Sequence, residues 1–404
     1  MMSATVLRRV NLCSQNIRTA FLLLAIAFTC TGNAYAKPAK AQSGPECQYE
    51  NVSFTARFDG GRLNECFQKG KRHFVLTITP EATPINPSPW YAFDVTTKSE
   101  RDVKITLEYG DFWHRYDPKI WTEETGWQAL PSKLKVHDDG KRATFKIKDL
   151  DGTLRIAAQP IILPSDTNGW LKALANHDQA EFQNIGESAQ GRNIFALKSG
   201  QDLDHWLLLI GRQHPPETTG AVAMKAFVER LYRDESMANE FRQKVGLVTI
   251  PMLNPDGVIA GNWRLESSGL DLNRDWGPFT RPESQLVRDL IAEKIDAGQS
   301  LIAGLDFHST RRDILYTQPD SPEPKGMIVK AWHEAINERL VAAGHDPIVR
   351  DANHNSEKPT FKTWINVAYD IPGVTVELGD KTDFERINLI GEIAAEELMR
   401  LLID

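Results

Sequence analysis

Apolar and polar residues alternate in short runs through the first part of the chain. Runs that alternate, or that are rich in β-branched and aromatic residues, occur at His73–Pro80, Trp90–Thr97, Asp102–Gly110 and Arg142–Leu150. Turn-forming stretches such as INPSP and DDGK separate these runs. The pattern predicts short antiparallel strands, and we interpret residues 37–162 as a small β-sandwich domain.

The pattern changes near Pro164, where longer apolar runs alternate with stretches of helical periodicity. We predict strands at His205–Gly211, Val245–Leu253, Leu301–Ser309 and Gly373–Asp380, and helices at Thr218–Asp234, Pro282–Gly298, Lys325–Gly344 and Asn388–Leu402. This order is typical of an α/β fold with a mixed, mostly parallel central sheet flanked by helices. We assign it to a second domain over residues 163–404, whose functional residues should lie at the carboxyl ends of strands.

The first residues have the pattern of a secretory leader. Three arginines precede the apolar run Ala20–Cys30, and an A-x-A motif that ends at Ala36 follows it. We therefore predict a signal peptide over residues 1–36 and a periplasmic or secreted protein after cleavage near Ala36. The apolar run is shorter than the roughly 20 residues that cross a bilayer, so we expect no membrane span.

Charge and cysteine content narrow the possible partners and the compartment. The chain has a net charge of −7, and loss of the three leader arginines would make it −10. A nucleic-acid partner is not expected, because binding phosphates needs a basic face. Cys47 and Cys66 would be the cysteines that remain, and two cysteines so close in an exported protein usually pair.

The stretch GRQHPPETTG, residues 211–220, places His214 and Glu217 on either side of two prolines, just after a predicted strand. Proline restricts its own backbone and that of the preceding residue, so this loop can hold both side chains in a fixed geometry. Imidazole and carboxylate groups are zinc ligands, and catalytic zinc usually takes three of them. His308, at the end of another predicted strand, offers the third ligand. An ordinary loop and a structural histidine are the alternative interpretation.

A polar segment over residues 254–276 separates these candidate ligands. Its centre contains Arg264, Asp271, Asn273 and Arg274. Arginine can bind a carboxylate through two parallel hydrogen bonds, which suits the recognition of a chain end. A solvated loop with surface arginines is the alternative.

Glu377 lies inside an apolar run that predicts a buried strand. Burying a carboxylate there costs free energy unless the group has a partner or a function. One such function is that of a general base beside a bound metal ion. Glu377 is therefore our candidate for the base.

Six pieces of the chain, taken in order, resemble the zinc metallocarboxypeptidases of the carboxypeptidase A type: GRQHPPET, NPDG, GNWR, GLDLNRDW, LDFHS and TVELGD. Within that family the chain is most similar to the cytosolic carboxypeptidase-like branch, because FTARFDGGRLNEC and PWYAFDV resemble the β-sandwich domain of that branch. The resemblance covers nearly all of the predicted mature chain. It implies one zinc ion per chain and hydrolysis of the last peptide bond, with peptide or protein C-termini as partners.

The resemblance also implies a role for each residue of the metal site. His214, Glu217 and His308 would hold the zinc ion. Asp271 would accept a hydrogen bond from His214, which fixes the tautomer of that ligand. All four positions match the family motifs in this sequence.

Four further residues would bind and transform the substrate if the resemblance holds. Asn273 and Arg274 would bind the free C-terminal carboxylate. Arg264 would polarise the scissile carbonyl and stabilise the oxyanion. Glu377 would take a proton from the attacking water and pass it to the leaving amine.

Two features of the segment before Glu377 bear on substrate recognition. Pancreatic-type members of the family carry a tyrosine upstream of the base, but NHNSEKPTFKTWINVAYD, residues 353–370, has none at that place. The family position at the floor of the pocket, fifteen residues before the base, corresponds to Lys362. A lysine there would favour an acidic C-terminal side chain, whereas a surface lysine is the alternative.

Three other functions compete with the peptidase. A zinc-dependent deacylase of N-acyl amino acids uses a related site, and a cell-wall peptide hydrolase would differ only in its substrate. A zinc-free module that binds C-termini would need no catalytic group. The sandwich region and Arg264 favour the peptidase over the deacylase, and the presence of all three metal ligands and Glu377 argues against the binding module.

Overall fold

The computed structural model describes residues 46–176, 180–320 and 324–403. The predicted signal peptide, residues 1–36, lies outside this part of the chain, so its cleavage stays a prediction. The described residues belong to one compact unit. The domain boundary predicted between residues 162 and 163 likewise stays a prediction. Among the helices of the described ranges, none has the length and apolar character that a membrane span requires.

The first of two sheets, sheet A, contains nine strands and is mainly antiparallel. The strands are β1 (Glu46–Gln48), β2 (Val52–Thr55), β3 (Glu65–Gly70), β4 (His73–Thr77), β5 (Ala92–Glu108), β6 (Lys119–Thr122), β7 (Gly126–Ala129), β8 (Lys135–His137) and β9 (Arg142–Ala157). The pairing of β4 with β5 is parallel.

Strand β5 runs through a segment where the sequence pattern predicts a break. The separate strands predicted at Trp90–Thr97 and Asp102–Gly110 are one strand, and that prediction was wrong. The polar residues between them do not end the strand, because the pairing of β5 with β9 shifts register between Thr97 and Val103 and then resumes. Such irregularities bend a strand without terminating it.

The bend folds sheet A back on itself. In the strand register, Phe54 of β2 lies opposite Val95 of β5, and Phe74 of β4 lies opposite Ile105 of the same β5 strand. Ten residues of straight strand span about 33 Å, yet the ring centroids of Phe54 and Phe74 are 5.1 Å apart. The two halves of the sheet therefore face each other across a buried core, as in a sandwich.

Sheet B contains eight strands in the order β10-β11-β13-β12-β14-β17-β15-β16. They are β10 (Ala180–Glu187), β11 (Asn193–Ser199), β12 (His205–Gly211), β13 (Gly246–Ile250), β14 (Ser300–Thr310), β15 (Ile314–Tyr316), β16 (Val349–Asp351) and β17 (Gly373–Gly379). The centre, β13-β12-β14-β17, is parallel, and antiparallel pairs flank it. This confirms the predicted mixed, mostly parallel central sheet.

Helices cover both faces of sheet B. They are α1 (Pro164–Leu174), α2 (Thr218–Leu231), α3 (Ser236–Lys244), α4 (Pro255–Ala260), α5 (Pro282–Asp296), α6 (Pro324–Ala342), α7 (Phe361–Tyr369) and α8 (Phe384–Ile403). Leu207 and Leu209 of β12 pack in the core beneath α2 and α8, whereas Leu208 and Ile210 pack in the core beneath α5. Burial on both faces explains why β12 is an unbroken apolar run.

Candidate active site

His214, Glu217 and His308 meet at one edge of sheet B. Strands β12 and β14 are parallel neighbours, with Gly211 opposite Phe307, so both strands end at the same edge. The loop after β12 carries His214 and Glu217, and the end of β14 carries His308. All three side chains are buried, and one potential ligand atom from each lies within 4.8 Å of the others.

The two histidines of this group are oriented alike. Nδ1 of His214 is 2.9 Å from Oε1 of Glu217, and Nδ1 of His308 is 2.6 Å from Oε2 of Glu217. The opposite nitrogens face carboxylates, with His214 Nε2 2.9 Å from Asp271 Oδ1 and His308 Nε2 2.7 Å from Asp306 Oδ2. When each Nε2–H donates to its carboxylate, each Nδ1 keeps a lone pair directed at the common centre. Two imidazoles and one carboxylate with outer carboxylate partners fit a zinc ion.

A glycine lets the two halves of this site approach each other. Gly220 lies in the first turn of α2, beside the backbone of β14. A Cβ atom at Gly220 would lie 2.3 Å from the carbonyl oxygen of His308. A larger residue would push α2 away from β14, and Glu217, which directly precedes α2, would then lose contact with His308.

Asp306 is a functional candidate that was not predicted from the sequence. Alternate residues of a strand face the same side, so the LDFHS motif already places Asp306 beside His308. Gln213 fixes this carboxylate by donating from Nε2 to Asp306 Oδ2 at 2.7 Å, and Trp276 Nε1 donates to Gln213 Oε1 at 2.9 Å. Asp306 therefore supports His308 as Asp271 supports His214.

Glu377 lies next to the metal ligands. It is on β17, directly opposite His308 on the neighbouring strand β14. Its Oε2 atom is buried and has no hydrogen-bond partner among the described residues. Burial raises the pKa of Glu377 to about 8, with the charge of Glu217 adding to this and that of His308 opposing it. An unpaired carboxyl group of this kind can exchange a proton near neutral pH.

Arg264 connects the cavity to the metal site. Its Nε donates to Asp271 Oδ2 at 2.7 Å, while Asp271 Oδ1 contacts His214. Burial raises the pKa of Asp271, but the nearby charges of His214 and Arg264 outweigh it and the pKa is lowered. The two terminal nitrogens of Arg264 have no partner within the described ranges, so they can donate to a bound substrate.

A cavity of about 240 Å³ joins these groups. It is lined by the site residues that were predicted from the sequence, which are His214, Glu217, Arg264, Asn273, Arg274, His308, Lys362 and Glu377. Lys362 is buried on α7, and its Nζ is 3.4 Å from the carbonyl oxygen of Thr317. Burial lowers the pKa of Lys362, while Asp351 raises it. The alternative interpretation, a surface lysine, is therefore wrong.

Asn273 and Arg274 line the cavity with part of their polar groups already in use. Asn273 Oδ1 accepts from the backbone N–H of Phe361 at 3.0 Å, and its Nδ2 is 3.2 Å from His308 Nε2. Arg274 Nη1 donates to the carbonyl oxygen of Asn273 at 2.6 Å. Binding of a C-terminal carboxylate by this pair stays a prediction.

Arg115 is a further cavity residue that was missed, because it comes from a distant segment of the chain. Arg115, between β5 and β6, donates to Asp380 at 2.7 Å and to the carbonyl oxygen of Ser309 at 3.2 Å. It therefore ties together the strand ends that carry His308 and Glu377. No pattern near Arg115 in the sequence indicates this contact.

The cavity also contains a phenol, although residues 353–370 lack the family tyrosine at its usual place. Tyr316 of β15 lines the cavity and stacks on His354, with ring centroids 4.1 Å apart. Burial raises the pKa of Tyr316, and the charge of Glu377 adds to this effect. The phenol is therefore protonated and can donate a hydrogen bond.

Comparisons with known proteins agree with this geometry. The family model for zinc carboxypeptidases matches residues 167–385, more than half of the chain. The chain is 26% identical over 298 residues to mouse cytosolic carboxypeptidase 3, an alignment that covers 65% of this chain and 30% of that protein. It is 30% identical over 287 residues to mouse cytosolic carboxypeptidase 6, with coverage of 64% and 53%. The chain thus spans about a third to a half of the length of these curated relatives.

Solved structures share the fold of sheet A and sheet B together. A metallo-carboxypeptidase from Burkholderia cenocepacia aligns with a TM-score of 0.74 and 19% identity, over 87% of this chain and 99% of that chain. A metallo-carboxypeptidase from Pseudomonas aeruginosa, in complex with (2-guanidinoethylmercapto)succinic acid, aligns with a TM-score of 0.70 and 21% identity, over 86% and 98%. At these identities the similarity establishes the fold.

Proposed function

The chain belongs to the zinc carboxypeptidase family, and we propose that it is a metallocarboxypeptidase that removes the last residue from a peptide or protein. The family cofactor, zinc, fits the group formed by His214, Glu217 and His308. The observation that carries the proposal is Glu377, whose unpaired carboxyl oxygen lies beside this group. A bound metal ion with a carboxylate beside it can activate a water molecule for hydrolysis of a peptide bond.

The side chains of the cavity divide the chemistry among them. Zinc, when bound, supplies Lewis-acid activation of the water and of the scissile carbonyl. Glu377 takes a proton from the attacking water and delivers it to the leaving amine. Its raised pKa suits this exchange, since a base works best when its pKa is near the working pH.

Arg264 and Arg274 place positive charge at two positions of the cavity. The free nitrogens of Arg264 donate to the oxygen on which negative charge develops, and its bond to Asp271 fixes the guanidinium group beforehand. Arg274, together with Asn273, binds the C-terminal carboxylate of the substrate. A clamp for that carboxylate limits cleavage to the last residue.

We also propose a preference for an acidic last residue, with Lys362 as its cause. The Lys362 ammonium group is buried in the cavity, and its one hydrogen bond to a described residue, to the carbonyl oxygen of Thr317, is long at 3.4 Å. A buried charge without a good partner is unfavourable, so an acidic side chain would gain from pairing with it. A charged hydrogen bond of this kind contributes about 1.5–3 kcal/mol.

Peptides that differ only in their last residue test both parts of the proposal. Zinc-loaded protein should release Glu or Asp about tenfold to a hundredfold faster than Lys, Phe or Ala. Lys362→Ala should remove this preference while Ala release continues, and the exposed Lys358→Ala should leave the preference intact. Equal rates for all peptides would exclude the acidic preference. Hydrolysis of N-acyl amino acids to free amino acids, without cleavage of any peptide, would support the deacylase instead.

Export from the cytoplasm is a separate proposal, supported by the disulfide between Cys47 and Cys66. Disulfides persist mainly in oxidising compartments such as the periplasm. Both mouse relatives described above are named cytosolic carboxypeptidases. Fractionation of cells should place the protein, shortened near Ala36, outside the cytoplasm, and a full-length cytosolic protein would contradict this.

A further inference from the structure

We infer that Glu81, which follows β4 of sheet A, is a positioning residue for Arg264 of the active site. The Glu81 carboxylate accepts three consecutive backbone N–H groups. Oε2 accepts from Trp263 at 2.8 Å, and Oε1 accepts from Arg264 at 2.9 Å and from Leu265 at 2.7 Å. The inference rests on the proposed function, because it concerns how Arg264 is held for catalysis.

The segment held by Glu81 is also fixed by its neighbours. The ring of Trp263 is buried in the core of sheet A, and its Nε1 donates to the carbonyl oxygen of Trp90 at 3.0 Å. Gly261, with φ of 64°, lies so close to sheet A that a Cβ there would be 2.7 Å from the carbonyl oxygen of Gly61. The backbone just before Arg264 is therefore immobilised against sheet A, and Glu81 extends this hold to Arg264 itself.

The contacts continue from Glu81 to the metal site. Glu81 fixes the backbone of Arg264, whose Nε donates to Asp271 at 2.7 Å, and Asp271 contacts His214 at 2.9 Å. A group that stabilises an oxyanion works only when it stands where the charge develops. A displacement of the Arg264 backbone would move its free nitrogens away from that place.

The geometry requires a carboxylate at position 81. Three N–H groups need two acceptor oxygens, and both oxygens of Glu81 are used. In Glu81→Gln one oxygen becomes an NH2 group, which would meet an N–H donor. Burial lowers the pKa of Arg62, and the negative charge of Glu81 partly opposes this, so the carboxylate has a cationic neighbour.

A double-mutant cycle separates positioning of Arg264 from a general contribution to folding. Glu81→Gln should lower kcat and kcat/KM together by about tenfold to a hundredfold, since Arg264 acts on the transition state. In an Arg264→Ala background the same substitution should lower kcat less than about threefold. Glu81→Asp, which keeps the carboxylate, should lose less kcat than Glu81→Gln does. Glu65→Gln, at an exposed position of the same sheet, is the matched control. Equal losses in both backgrounds would overturn the inference.

Hydrogen exchange supplies a readout that does not depend on activity. The amides of Trp263, Arg264 and Leu265 should exchange faster in zinc-loaded Glu81→Gln than in the wild-type protein or in Glu65→Gln. Unchanged protection of these amides would overturn the inference whether or not the wild-type protein cleaves peptides. A wild-type protein without peptidase activity would instead refute the proposed function, so the two failures can be told apart.

Discussion

At the residue scale, each histidine of the metal site lies between two carboxylates. Glu217 faces both Nδ1 atoms, while Asp271 and Asp306 face the two Nε2 atoms. The outer carboxylates fix the tautomers and orient both rings before a metal binds. The site is therefore preorganised by residues that do not touch the metal.

Asp306 gives the sharpest test of this arrangement. We expect Asp306→Asn to weaken zinc binding about 10–100-fold, because the amide cannot supply the negative charge that polarises His308. Competition with a chelator, followed by metal analysis, measures the change. The exposed Asp296→Asn should bind zinc like the wild-type protein. Wild-type affinity in Asp306→Asn would show that His308 does not need this partner.

At the element scale, the start of α5 contains an unusual acid. Glu283 is fully buried, and its Oε1 accepts the backbone N–H of Ala189 at 2.9 Å, while its Oε2 has no partner in the described part of the chain. Burial, together with the charges of Asp256 and Glu266 and against the opposing effect of backbone hydrogen bonds, raises the pKa of Glu283 to about 7. The folded protein therefore binds this proton more tightly than the unfolded chain does.

Glu283 should make stability fall as the pH rises. The free energy of unfolding decreases between the unfolded value of 4.5 and the folded value of about 7, and it stays lower above that range. Glu283→Gln removes this dependence, so the wild-type protein should lose on the order of 2–3 kcal/mol more than the variant between pH 4.5 and pH 8. Urea unfolding of both proteins across this range measures the difference. Identical pH profiles would contradict the raised pKa.

Some elements could be predicted from sequence and others could not. Strands β12, β14 and β17 are buried on both faces, so each could be predicted from a nearly continuous apolar run. The metal ligands and Glu377 lie at or near the ends of these runs and could be predicted with them. Helix α7, which carries Lys362, was missed because its start signal is one residue, Thr360, whose side chain accepts from Thr363 N. The polar middle of β5 indicated a turn, whereas pairing with β9 carries the strand through it.

At the scale of the whole molecule, sheet A contributes to the active site. Glu81 and Arg115 contact residues that are 182 to 265 positions later in the chain. Contacts of this range follow from the packing of two sheets, so neither residue could be predicted from the sequence around it. The catalytic motifs were predictable because each is local to one strand end or loop.

The disulfide joins the two halves of sheet A, because β1 pairs with β2 and β3 pairs with β4. Cys47 and Cys66 are 19 residues apart, and closing a loop of this length stabilises a fold by about 3 kcal/mol. We expect the double variant Cys47→Ser, Cys66→Ser to lose about this much free energy of unfolding. Denaturant unfolding of the oxidised wild-type protein and the variant measures it. Equal midpoints would show that the halves hold together without the bridge.

The most direct test of carboxypeptidase activity compares a peptide with a free C-terminus and the same peptide as its C-terminal amide. Zinc-loaded wild-type protein should release the last residue from the free acid alone, because Arg274 and Asn273 have no carboxylate to bind in the amide. Glu377→Gln should lower this release by about 10²–10⁴ while retaining zinc, and the exposed Glu385→Gln should not. No release from a panel of free-acid peptides, equal release from acid and amide, or full activity in Glu377→Gln would contradict the proposed carboxypeptidase.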